Sequence, residues 1–278
     1  MITTTIQHFF AKLILTLITF SFSALSLAAT ERDLIHAIIG GEIELVRAVL
    51  NEGISANSMS ADTTTALQWA AQGNHNTIAQ LLLENGADAN IANRYGVTAA
   101  TLAAENGNAE IMQLLLAAGV DANQSMPEGE TLLMTASRTG NAATVRALLE
   151  HRADPNHREE TRGQTALMWA ASENNADAIR ALAEFGVEVH VKTNNPSRIA
   201  DRTFAYAPPT GFSAFIFAVR AGHMEAVDAL LDAGADINDM VSNGESALVI
   251  AAAIIVQTMS PFILNPNARS QQTSYIAL

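Results

Sequence analysis

His151, Asp154 and His157 stand within one polar stretch, "HRADPNH", and two imidazoles beside a carboxylate are the ligand types of a metal-dependent hydrolase. That chemistry needs the three side chains to converge on one ion. Asn156 recurs at the same place in sister segments and the remaining neighbours are ordinary loop residues, so the stretch reads as a loop first and a hydrolase centre only as a remote alternative. Glu159 and Glu160 read as a solvated charge run rather than a catalytic pair. GxxxxGK[ST], GxSxG, HExxH and GxGxxG do not occur, and with no cysteine there is neither a thiolate nucleophile nor a Cys-based zinc pattern. The expectation is no enzyme, no catalytic residue, no metal and no cofactor.

Composition points the same way. The 278 residues are 49% hydrophobic and 15% charged, ample for a sizeable core. With 15 basic against 28 acidic residues the net charge is -13, which argues against nucleic acid and anionic lipid as partners of the whole molecule.

What positions the polar residues is a repeat. "TALQWAA" at Thr65, "TAATLAA" at Thr98, "TLLMTAS" at Thr131, "TALMWAA" at Thr165, "SAFIFAV" at Ser213 and "SALVIAA" at Ser246 are separated by 33, 33, 34, 48 and 33 residues. A degenerate earlier copy begins at Arg32. Each start but the last is followed by a second apolar stripe, such as Ile78, Leu82 and Leu83, at helical spacing. A glycine then ends the run, at Gly53, Gly86, Gly119, Gly186 and Gly234, where the left-handed conformation costs any side chain but not glycine. Arg152 holds that slot in the fourth copy and predicts some strain or an altered cap. Asn74 and Asn174 replace Gly41, Gly107, Gly140 and Gly222 in the turn between helices, which asparagine tolerates.

On these residues the chain resembles the ankyrin repeat family, over roughly Glu31 to Ala252. The resemblance implies an all-α solenoid of about six to seven helix-turn-helix units with finger loops. It departs from the family in its Thr-Pro-Leu-His opening, here Thr-Ala-Leu-Gln or similar, so the histidine hydrogen-bond network is expected to be absent and the array less rigid. Trp69 and Trp169 fill a slot shared with Leu102, Thr135 and Phe217 and are expected to pack in the core; His75 and His223 read as framework residues.

Two regions are irregular. The 48-residue step carries 15 extra residues, which lengthen one finger at about 191–209 with Arg198, Arg202, Phe204 and Tyr206. After Ala252 an irregular tail, 253–278, contains Pro261 where a second helix should run. At the other end Lys12, an apolar run from Leu13 to about Ala24 and the small residues of Ser26-Leu27-Ala28 predict a signal peptide over 1–28, and hence a periplasmic or secreted chain with no membrane span once matured.

The family's recognition surface is the concave side built from finger loops and first helices. Carried onto this chain it selects Arg94, Tyr95, Arg138, Arg162, Phe212 and Arg220, to which the insert adds Arg198, Arg202, Phe204 and Tyr206. Arginine and tyrosine are residue types that carry interface energy. Together with the predicted signal peptide, the resemblance implies an exported scaffold, expected to be monomeric, holding an extracytoplasmic protein of acidic or mixed surface, with a secreted effector acting on a host or competitor protein as the alternative.

Overall fold

The computed structural model describes residues 30–126, 129–194 and 211–254. Residues 1–29, most of the finger insert and the residues after 254 lie outside the described residues.

Short helices alternate along the chain. Successive pairs are α1 (Glu31–Ile39) and α2 (Ile43–Asn51), α3 (Ala66–Gln72) and α4 (Asn76–Glu84), α5 (Ala99–Glu105) and α6 (Ala109–Ala117), and α7 (Leu132–Thr139) and α8 (Ala142–Glu150). The array continues with α9 (Ala166–Ser172) and α10 (Ala176–Glu184), then α11 (Ala214–Ala221) and α12 (Met224–Asp232). A further helix, α13, occupies 247–254. Helices of seven to nine residues are marginal alone, so their stability must come from packing. Thr65 Oγ1 accepts the Gln68 amide at 3.1 Å, and Thr98, Thr131 and Ser213 cap their helices in the same way.

Small residues then let neighbouring units approach. Ala70, Ala71, Ala103, Ala104, Ala170 and Ala171 are fully buried between first helices, and Ile78, Leu82, Ile111 and Leu115 bury the second-helix stripe. First helices stack on first helices and second on second throughout the array. α9 packs on α11 and α10 on α12, so the 48-residue step interrupts the sequence without interrupting the stack. This is an all-α solenoid of helix-turn-helix repeats.

The predicted left-handed positions are present: Gly86 has φ +82°, and Asn74, Asn174 and Arg152 have φ of +56°, +60° and +68°. The expected loss of the histidine network needs correction. Gln68 rebuilds it in one repeat, accepting the Thr65 amide at 2.8 Å and donating to Ile91 O at 2.9 Å and Val97 O at 2.8 Å in the next finger. Asparagines tie the opposite side of the stack: Asn57 donates to Gly86 O and accepts from the Asp88 amide, and Asn123 does the same with Arg152 O and Asp154.

Glu159 is also not the solvated residue its sequence neighbours suggest. It is 7% exposed, and its carboxylate accepts the amides of Thr161, Arg162 and Gln164 at 2.6, 2.7 and 3.0 Å, shaping one finger. That finger carries one residue more than its sisters, and the buried carboxylate satisfies the amides its turn leaves unpaired. On the last described helix, Leu248 is 77% exposed in the slot where Leu67, Leu133 and Leu167 are 1% exposed.

Candidate interaction surface

One slot on most first helices is not fully covered, although Thr135 fills it at 3% exposure in α7. Trp69, Leu102, Trp169 and Phe217 occupy it and are half-buried, so the tryptophans border the core instead of lying inside it as their slot suggested. Trp69 Nε1 donates to Ser60 Oγ at 3.2 Å. Trp169 Nε1 is buried with no acceptor.

Arginines lie along the same row. The Arg138 guanidinium carbon is 5.7 Å from the centre of the Trp169 ring, in the next repeat. Arg220 lies 5.4 Å from the centre of Phe212, whose ring is 5.5 Å from Phe217 at an interplanar angle of 39°. Arg138 and Arg220 are exposed, and so is Arg162 at its finger tip. Ion pairs among the described residues are Arg146–Glu184, Arg180–Asp177 and Lys192–Asp239, so none of these three arginines faces a carboxylate within ion-pair distance there.

Other selected residues stand differently. Arg94 turns back onto the preceding finger, its Nε and Nη2 donating to Asp62 O at 3.0 Å and Ala61 O at 3.3 Å, while its amide donates to Thr63 Oγ1. It joins two fingers, and leaves Tyr95, 69% exposed and 5.6 Å from its guanidinium, as the projecting group. Phe212 is 7% exposed and acts as the floor beneath Arg220. Arg198, Arg202, Phe204 and Tyr206 lie outside the described residues.

The finger insert has a closed base. The Thr193 amide donates to Phe212 O at 2.9 Å and the Phe212 amide to Thr193 Oγ1 at 3.0 Å. Lys192 Nζ bonds Asp239 Oδ1 at 2.7 Å and Met240 O at 2.6 Å. Partial burial pushes the Asp239 carboxyl up, but its bonds to Lys192 and Ser213 outweigh that and hold it below the usual aspartate range.

The histidine loop does not assemble a centre. A His151 ring nitrogen lies 2.9 Å from Ala147 O, and Asp154 Oδ1 accepts the Asn156 amide at 2.9 Å. Among the described residues no three His, Cys, Asp or Glu side chains are grouped as metal ligands. His223 contacts Ala171 O at 3.1 Å across a repeat boundary, the framework role expected of it. Among the described residues no helix is long and apolar enough to cross a membrane.

Sequence reasoning overlooked Gln68, Glu159 and the asparagine ladder. The recurrence of asparagine at 57, 123 and 156 was the available signal for the ladder; Gln68 and Glu159 each act once and leave no periodic trace.

Helix pairs, fingers and the row of half-covered side chains define a repeat scaffold. The family model for ankyrin repeats in three copies matches residues 30–93 and 100–193, and a model for many copies matches 212–254. The chain belongs to the ankyrin repeat family, a family of protein-interaction scaffolds. Among solved structures it is similar to the crystal structure of the human ASB11 ankyrin repeat domain, with TM-score 0.63 and 23% identity over 78% of this chain and 90% of that one. That likeness concerns the fold alone. No curated protein matches the sequence.

Proposed function

We propose that the chain is a non-enzymatic, exported, monomeric scaffold that grips an extracytoplasmic protein through the face shared by its first helices and fingers. The observation that carries this reading is the row of Arg138 on Trp169 and Arg220 on Phe212, two exposed cations on aromatic supports with no carboxylate partner among the described residues. Cations held this way are exposed for contact without holding the fold together. Export is supported by the charge and small-residue pattern of positions 1–28.

The test is affinity capture from the periplasmic fraction with a C-terminally tagged full chain, set against the variant Arg138→Glu, Arg162→Glu, Arg220→Glu. One dominant protein lost from the variant, with unchanged circular dichroism, establishes the scaffold. Equal capture by both removes this face from the mechanism. Recovery of the chain from the medium, with its target in another cell, turns the reading to a secreted effector.

A further inference from the structure

We infer that the trough of the fourth to sixth repeats receives an extended, carboxylate-bearing segment of the partner, with one carboxylate at the Arg138–Trp169 pair and a second at the Arg220–Phe212 pair. This rests on the scaffold reading above and adds to it the chemistry of what is bound.

The argument begins with one slot. Its occupants in successive repeats are Gln72, Glu105, Arg138, Ser172 and Arg220. Cations therefore alternate with a small neutral residue in the later repeats, and an acid bounds the row in the third. In a chain of net charge -13 such cations would be expected to sit against the chain's own acids, yet Arg138 and Arg220 do not among the described residues. Each lies instead on a ring, 5.7 and 5.4 Å from its centre. A guanidinium held near an aromatic ring, with no carboxylate of its own chain beside it among the described residues, keeps N–H groups free, and these match a carboxylate in two parallel hydrogen bonds. Holding it in place beforehand reduces the ordering cost of binding.

A second observation is independent of charge. Trp169 Nε1 is buried without an acceptor, although Trp69 in the same slot donates to Ser60. The finger position corresponding to Ser60 is taken in this repeat by Glu159, whose carboxylate is already bonded to three amides. The ring beneath Arg138 thus carries a donor with no partner inside the fold among the described residues.

Geometry sets the spacing. First helices of neighbouring repeats lie about 8–10 Å apart, so two repeats separate the cations by roughly 16–20 Å. An extended segment at about 3.3 Å per residue spans that in about five or six residues. Glu105 repels a third carboxylate placed one repeat further on, which selects a spaced acidic pattern over a uniformly acidic one.

The experiment uses the full chain carrying Trp69→Phe, so that Trp169 is the only tryptophan emitter, and a labelled neutral peptide bearing two glutamates about six residues apart. Expected are saturable binding, a change in Trp169 emission, and affinity about tenfold or more weaker for the glutamine counterpart and for Arg138→Gln or Arg220→Gln. Affinity must also fall as salt rises. Equal binding of glutamate and glutamine peptides, no binding of the glutamate peptide, or indifference to Arg138→Gln overturns the assignment. The scaffold reading fails separately, on the capture experiment: a partner lost on triple charge reversal but held through a neutral or basic segment overturns the carboxylate assignment alone.

Discussion

The Arg138 guanidinium lies over the indole of Trp169, 5.7 Å from its centre and in the neighbouring repeat, so this pair crosses a repeat boundary at the surface. Its worth to the fold is small, about 0.5–1 kcal/mol for an exposed cation on a ring. Arg138→Gln is therefore expected to lower the urea-unfolding free energy by no more than about 1 kcal/mol. A larger loss would mean that Arg138 serves stability and not contact.

Glu159 carries a different weight. Its buried carboxylate accepts three backbone amides, and Glu159→Ala leaves all three without it. A loss of about 2–4 kcal/mol is expected, with Glu159→Gln milder because the amide oxygen still accepts. Thermal melts of the two variants check this; similar melts for both and wild type would contradict the role.

Arg152 holds a left-handed conformation at φ +68° where sister repeats use glycine. That conformation costs a side chain about 1–2 kcal/mol, while glycine loses about 0.5–1 kcal/mol more backbone entropy on folding. Arg152→Gly is expected to stabilise by about 0.5–1 kcal/mol. Thr63, at φ +70°, is also left-handed, but its hydroxyl accepts the Arg94 amide at 2.9 Å, so Thr63→Gly gains less. Urea midpoints of the two variants give the comparison.

Asp239 makes stability depend on acid. Its native pKa is held below the ordinary 3.8, so its contribution is complete above that value and disappears as pH falls through the native pKa. Asp239→Asn should melt lower than wild type at pH about 6, with the gap closing toward pH about 2–3. A gap that is constant with pH would exclude the Lys192–Asp239 bond as its source.

One slot differs between the second repeat and the last described helix. Leu67 is 1% exposed and Leu248 is 77% exposed. Leu67→Ala is expected to cost about 2–5 kcal/mol and Leu248→Ala less than about 0.5 kcal/mol. Comparable losses in the two melts would show that Leu248 is covered in solution.

The repeat, its helix starts and its left-handed turns were legible because each depends on local requirements that recur: Thr65 and its sisters as caps, Gly86 and its sisters at positive φ, and apolar stripes at helical spacing. A property needed in every unit is written in every unit. Even Arg152 announced itself by breaking the pattern.

Contacts between units were not legible. Sequence spacing assigned Arg94 and Arg138 to one surface on equal terms, but the fold turns Arg94 onto the carbonyls of the preceding finger and lays Arg138 over the next repeat's indole. Glu159 looks like its neighbour Glu160 until the turn brings three amides to its carboxylate. Local propensity and periodicity, which one chain segment carries by itself, determined the architecture. Which polar groups are consumed inside it and which remain for a partner depended on distances across repeat boundaries, and those exist only once the units are stacked.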